Sequence, residues 1–253
     1  MQREVGATLE AADLSKHYGQ TVALDRAHLA FAAGTIHAIL GENGSGKSTL
    51  VKLFSGIVPP SRGAIRIEGH TVRRFEPAAL QALGVATVFQ EVLVAPNRSV
   101  TDNILLGMDG MFRRRVKRAA RREAALRALA PIARAPVDPD ALVSRLPLAA
   151  RQLVVLARAL ARKPRILILD EVTAALDFAD REAVFQMMEG FARAGGLVLF
   201  ISHRMDEVIR LADRVTVMRS GRVVDTLDRG AASSAHLLRL MAPAAAAELG
   251  DAA

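Results

Sequence analysis

Gly41-Glu42-Asn43-Gly44-Ser45-Gly46-Lys47-Ser48-Thr49 is the stretch that decides the fold. A short apolar run, Ile36-His37-Ala38-Ile39-Leu40, precedes it, and Leu50-Val51-Lys52-Leu53-Phe54 follows. The order is strand, glycine loop, helix, which is the setting a phosphate-binding loop requires. Glycines let the backbone fold tightly with its amide N–H groups turned inward. Those amides and the positive end of the following helix make a concave anion site. Lys47 is placed to reach the outer phosphates of a nucleotide, and Ser48 to put its hydroxyl on a magnesium ion.

The 253 residues suffice for one large domain with room for an inserted subdomain, and 51% of them are apolar, enough for a sizeable core. The chain has no cysteine, which excludes disulfides and thiolate metal sites and fits a reducing cytosol. No early segment has the charged start, apolar core and small-residue cleavage site of a leader. No apolar run approaches the roughly 18–20 residues that span a bilayer. The expectation is a protein that is soluble alone or held at a membrane through a partner. The formal charge is +8. Its densest stretch, 113–134, carries Arg113, Arg114, Arg115, Lys117, Arg118, Arg121, Arg122, Arg127 and Arg134 against Glu123. Two readings stay open there: a solvated helix face, or a surface for acidic headgroups or an acidic partner loop.

Read in order, residues 7–14 and 22–31 alternate like half-buried strands, with Lys16–Gln20 as the turn between them. Pro59–Gly63 is a turn, 64–69 a strand, 78–83 a short helix and Val85–Phe89 a strand. Ser99 with Asp102 marks a helix start, and 113–134 and 148–161 read as helices. Ile166–Leu169 and Val198–Ile201 are apolar runs of the kind found in buried parallel strands. Helices over 179–194, 204–211 and 234–241 and strands over 214–218 and 222–227 complete the pattern. This alternation predicts an α/β fold, which together with the phosphate loop resembles the P-loop NTPase (RecA-like) type. It has a mostly parallel core sheet, antiparallel strands at its N-terminus and an inserted helical subdomain. The expected division is 1–90 with 161–241 as the nucleotide-binding core, 91–160 as the helical subdomain, and 242–253 as a loosely held tail.

Asp170 ends a buried strand, where the magnesium-holding acid of a P-loop enzyme belongs. Glu171 follows, placed to orient or deprotonate an attacking water. His203 ends the next buried strand and can hydrogen-bond a terminal phosphate, or be an ordinary loop histidine. Gln90 ends the strand before, where α/β sheets present ligand-binding groups. Tyr18 can stack on a purine or simply cap its hairpin.

Together these residues resemble the nucleotide-binding subunit of an ATP-binding cassette (ABC) transporter, over about residues 7–227. The matching motifs are the phosphate loop 41–49, Gln90 in Val-Phe-Gln-Glu, Leu169-Asp170-Glu171, Ala174-Ala175-Leu176-Asp177 and Ile201-Ser202-His203. The resemblance implies ATP and Mg2+ as cofactors. It implies Glu171, His203 and Gln90 as catalytic groups, and Ser48, Gln90 and Asp170 around the metal. Tyr18, the loop 41–49 and Asp177 then face the nucleotide. Phe89-Gln90-Glu91, Ser99–Gly107, Arg151–Val154 and Ile201–Val208 are similar to bacterial ribose/galactose/xylose-type importers, whose subunits usually carry two cassettes. The implied partners are a second cassette, membrane permease subunits and, indirectly, a periplasmic substrate-binding protein. The implied location is the cytoplasmic face of the inner membrane, with no direct contact to nucleic acid. The other class in play is a non-transport cassette ATPase working on the ribosome or nucleic acid, which the positive charge favours. One departure stands out. The family's signature Leu-Ser-Gly-Gly-Gln is here Leu146-Pro147-Leu148-Ala149-Ala150, and proline has neither hydroxyl nor N–H. Val172 also replaces the usual proline after Glu171.

Overall fold

The computed structural model describes residues 7–108 and 117–242. The chain runs β1 (Ala7–Tyr18), β2 (Thr21–Ala32), β3 (Ile36–Leu40), α1 (Lys47–Phe54), β4 (Arg62–Ile67), β5 (His70–Thr71), α2 (Pro77–Ala82) and β6 (Val85–Val88). A helical segment follows, with α3 (Val100–Ile104), α4 (Arg118–Leu129) and α5 (Leu148–Ala161). Then come β7 (Ile166–Asp170), α6 (Phe178–Arg193), β8 (Leu197–Ile201), α7 (Met205–Leu211), β9 (Arg214–Arg219), β10 (Arg222–Asp228) and α8 (Ser234–Met241). None of the described helices is long and apolar enough to cross a membrane.

An antiparallel sheet has the order β2-β1-β4-β5. The larger sheet has the order β10-β9-β3-β8-β7-β6, parallel except where β10 runs against β9. That is the mostly parallel core with antiparallel N-terminal strands expected from the sequence. Several boundaries differ: among the described residues α4 covers Arg118–Leu129 of the expected 113–134, and the first hairpin is tighter. The turn is not Lys16–Gln20 but Gly19–Gln20, because Tyr18 pairs directly with Thr21 and Gly19 takes φ +58. A two-residue loop with positive φ matches the twist of a hairpin and lets β1 run longer.

β3, β7 and β8 are buried at every residue. Their side chains alternate between two apolar layers, as the period of two demands. Leu167, Leu169, Val198 and Phe200 face one layer with the helical segment; Ile166, Ile168, Leu197 and Leu199 face the other with α1. α5 buries Leu153, Val154, Leu156 and Ala157 in the first layer.

Polar groups fix how the helical segment sits. The Ser99 hydroxyl accepts the Asp102 N–H at 3.1 Å and caps α3. Asn103, fully buried, accepts from Ala95 N–H at 2.8 Å and donates to the carbonyls of Ala95 and Ser99. Arg158 of α5 donates to the Asn103 carbonyl at 2.7 Å and the Leu93 carbonyl at 2.9 Å. Arg162, one turn on, donates to the Leu106 carbonyl at 2.8 Å.

The arginine-rich stretch looks different in three dimensions. Arg113, Arg114 and Arg115 lie outside the described residues, as does the tail 243–253. Arg118 and Arg122 pair with Asp140, Arg121 with Asp102, and Arg127 with Glu123. Two acids distant in sequence, Asp102 and Asp140, therefore oppose part of what reads locally as a basic run.

His37 on β3 is 1% exposed; its Nε2 meets Thr216 Oγ1 at 2.7 Å, and its Nδ1 has no partner. Burial, reinforced by nearby Arg214, pushes its pKa down to about 3. A depressed histidine contributes stability above its unfolded pKa of about 6.5 and loses it as pH falls toward the folded value. Unfolding free energy should therefore drop by about 2 kcal/mol between pH 7 and pH 5 from this group alone. Urea unfolding at both pH values checks this. His37→Gln should remove most of the difference, and an unchanged difference would contradict it.

Candidate active site

Four parallel strands bring the candidate residues together. Ile39 pairs with Ile201, Ile201 with Asp170, and Leu169 with Val88, so β3, β8, β7 and β6 end within about a residue of one line. The phosphate loop, His203, the Asp170–Glu171 pair and Gln90 leave from that line in turn. In parallel sheets this carboxyl edge is where ligands bind.

The loop 41–46 delivers α1 with no side-chain cap on its first turn. Gly46, the N-cap residue, has φ +103 and no side-chain cap, so the leading amides of α1 remain available to an anion. A Cβ on Gly41 would lie 2.3 Å from the Met218 carbonyl oxygen, and one on Gly46 would lie 2.8 Å from that of Ala23. Glycine is therefore required at both for packing as well as for conformation. Gly44, with φ +80, turns in open space. The Ser45 backbone joins the loop to Glu42 and Gly221, while its buried Oγ has no partner. Glu42, Asn43 and Ser48 are exposed and Thr49 is partly buried. Lys47 is only 8% exposed; its ammonium donates to the Gly41 carbonyl at 2.7 Å and the Glu42 carbonyl at 3.0 Å. Burial lowers the Lys47 pKa, against the opposing pull of Glu171 and Asp170.

Opposite the loop, Asp170 is buried, and burial followed by the Glu171 charge raises its pKa, while Lys47 and His203 hold it down. Glu171 takes φ +52, a conformation unusual for a residue with a side chain. Its N–H donates to the Ile201 carbonyl at 3.0 Å, which holds the turn. One carboxylate oxygen accepts the Gln90 side-chain amide at 3.0 Å, and the other is in close contact with His203 Nε2. Gln90, Glu171 and His203, 81 and more residues apart in places, thus form a single contact group.

The remaining sequence candidates are placed as follows. Tyr18 is 44% exposed, with the Lys16 ammonium 5.1 Å from its ring centroid. The Asp177 carboxylate is already engaged, accepting the Asp180 N–H at 2.8 Å as the cap of α6. Sequence reading takes Asp177 as a nucleotide contact; in this conformation its side chain is a helix cap. Pro147 is the N-cap residue of α5 and supplies no side-chain cap, and the adjacent Leu148 is 56% exposed. Val172 is fully buried, so an apolar residue suffices there for packing.

The donors suit a magnesium–nucleotide group. Uncapped α1 amides, an unpartnered Ser45 hydroxyl and a buried ammonium fit a polyphosphate. Ser48 and Asp170 offer hard oxygen ligands of the kind magnesium takes alongside phosphate oxygens, which needs no all-protein cage. Consistently, no group of three or more His, Cys, Asp or Glu side chains gathers at a metal-binding distance among the described residues.

Sequence reading gives no role to Glu207. It lies 2% exposed on α7 and accepts hydroxyl hydrogen bonds from Thr173 at 2.8 Å and Ser202 at 3.0 Å. The available signal is its place four residues before buried Leu211, on the inward stripe of a short helix.

A family model described as "ABC transporter" matches residues 24–174, which contain the phosphate loop, Gln90, Asp170 and Glu171. The chain belongs to the ABC transporter family. Tyr18, Asp177 and His203 lie outside the matched ABC transporter range. Among relatives, the ribose import ATP-binding protein RbsA 1 of Mesorhizobium japonicum is 45% identical over 90% of this chain and 44% of its own. The protein of the same name from Rhizobium johnstonii is 43% identical over 90% and 44%. The chain spans about half the length of the curated relatives it matches. Among solved structures, cbiO1 from Clostridium perfringens, part of the ABC transporter complex cbiONQ, has TM-score 0.76 at 26% identity, over 92% of this chain and 93% of that one. A bacterial Atm1-family ABC exporter with ATP bound has TM-score 0.75 at 26% identity, over 98% of this chain and 42% of the exporter.

The two glycines separate strain from contact. Gly44→Ala adds only positive-φ strain, of about 1–2 kcal/mol, whereas Gly46→Ala adds a backbone clash to it. Thermal unfolding should show a clearly larger loss for Gly46→Ala, with ATP binding lost as well. Equal losses would mean that the close approach to Ala23 is unimportant.

Proposed function

We propose that the chain is the ATP-binding and ATP-hydrolysing subunit of a bacterial importer, with a sugar as cargo. The observation that carries the reading is Glu171, held between Gln90 and His203 beside the phosphate loop. The names of the ribose-import relatives support the cargo class. The 91–160 segment is proposed as the helical subdomain on a core of 1–90 and 161–241. Permease subunits, a second cassette and, indirectly, a periplasmic sugar-binding protein are the proposed partners, at the cytoplasmic face of the inner membrane. Pairing of the α4 cations with Asp102, Asp140 and Glu123 weakens the argument for nucleic acid.

In this reading α1 amides and Lys47 bind the phosphates, and Tyr18 flanks the base. Asp177, from the loop ahead of α6, faces the nucleotide at the border between cassettes. Ser48, Asp170 and Gln90 would hold magnesium, which supplies charge neutralisation at the outer phosphates. Glu171 takes a proton from the attacking water through the oxygen it now shares with Gln90 or His203. His203 then contacts the terminal phosphate. Nucleotide binding closes the cassette against a second one, and hydrolysis with release reopens it. Pro147 removes a hydroxyl and an N–H from the signature that would face the partner's terminal phosphate. In a homodimer both sites inherit that defect; beside a partner with an intact signature, the site built on this chain's own phosphate loop stays competent.

ATPase assays of the purified chain test this. Lys47→Ala should lose nucleotide affinity at least about tenfold, and Glu171→Gln should bind ATP but lose about 10²–10⁴ in turnover. Pro147→Ser should raise turnover by about 10–100-fold, since each donor to a charged phosphate is worth about 1.5–3 kcal/mol. No gain in the serine variant, alongside an inactive Glu171→Gln, would sink the signature argument. Tagged chain isolated from native membranes should carry a multi-span permease; ribosomal RNA in its place would overturn the transport reading.

A further inference from the structure

We infer that Glu207 is a positioning residue for hydrolysis: its buried carboxylate ties the loop after Glu171 to the loop before His203. The inference rests on the reading of Glu171 and His203 as the hydrolytic pair. Thr173 is two residues past Glu171, and Ser202 is the residue before His203. Both hydroxyls donate to the same oxygen, Glu207 Oε2, at 2.8 and 3.0 Å. Thr173 and Ser202 are themselves 2% and 4% exposed, so neither bond competes with water. Ser202 Oγ also accepts the Arg204 N–H at 3.1 Å, which fixes the turn that carries His203. The other carboxylate oxygen, Oε1, has no hydrogen bond; the Arg204 guanidinium lies 3.7 Å from it.

Packing alone does not ask for this group. Val208 and Leu211 bury the same side of α7, and an apolar side chain would fill the place at lower desolvation cost. What a carboxylate adds is two directional bonds to two loops. Those loops start from neighbouring strands, β7 and β8, and each carries one member of the Glu171–His203 contact. Glu171 sits at φ +52 and needs anchoring on its far side, which Thr173 provides. Small errors in the placement of a catalytic group are costly in rate while leaving ground-state binding intact.

The test combines turnover, ATP affinity and amide hydrogen exchange on the full chain. Glu207→Ala should lower kcat about 10–100-fold with ATP affinity within about twofold. Glu207→Gln keeps an acceptor oxygen and should stay within about threefold of the parent. Exchange in 171–176 and 201–204 should rise about tenfold in Glu207→Ala, with 36–50 unchanged. Thr173→Val removes one donor and should move kcat in the same direction, so the inference survives a poorly folding alanine variant as a test. An unchanged kcat and unchanged exchange in Glu207→Ala overturn it. So does a parallel loss of affinity with faster exchange throughout, which would make the role purely structural. If Glu171→Gln hydrolyses like the parent, the hydrolytic-pair reading fails by itself, and exchange still decides whether Glu207 ties the loops.

Discussion

Parallel pairing of β3, β8, β7 and β6 sets the position of every group at the site. Because Ile39, Ile201, Asp170 and, one row over, Val88 stand in register, the residues just past them emerge side by side. A one-residue slip in β7 would carry Leu167 and Leu169 to the opposite apolar layer and turn Asp170 with them. The slip is expensive because it would draw Arg165 or Asp170, which flank the apolar run, into a position now filled by a buried apolar side chain. The core thus fixes the chemistry indirectly, through register.

The second constraint is electrostatic. Lys47, Asp170 and Glu171 are charged groups brought into a largely buried place, where the attraction of Lys47 to both carboxylates offsets part of its desolvation while the two carboxylates repel each other. The site is unevenly satisfied: Lys47 rests on carbonyls, while the Ser45 hydroxyl is unpartnered and α1 has no side-chain cap. An arriving polyphosphate meets uncapped α1 amides, while the Lys47 ammonium has carbonyl contacts to exchange for phosphate oxygens.

Much of this was legible in the sequence because it is encoded locally. The glycine spacing of 41–46, the apolar runs before Asp170 and His203, and the Ser99 cap each carry their own physical signal within a few residues. What local reading leaves out is pairing that only the fold supplies. The stretch around α4 reads locally as cations against Glu123 alone, and in the fold Asp102 and Asp140 come up against it. Asp177 reads as a ligand-facing acid, and in the fold its carboxylate accepts the Asp180 N–H at the start of α6. Tyr18 extends a strand because Thr21 is opposite, which no alternation pattern reveals. Glu207 carries no local signal of its part, because that part lies in two hydroxyls, one of them 34 residues away.

Arg158 has a mechanical consequence. Its guanidinium grips the carbonyls of Leu93 and Asn103 rather than a carboxylate, and Arg162 extends the grip to Leu106. Dipoles, unlike exposed ion pairs, keep their hold as ionic strength rises. α5 and the 93–106 segment are therefore clamped into one lever. At one end of that lever is the chain leaving Gln90, and at the other is Pro147. A shift of the chain leaving Gln90 is therefore felt by α5 through hydrogen bonds to backbone carbonyls.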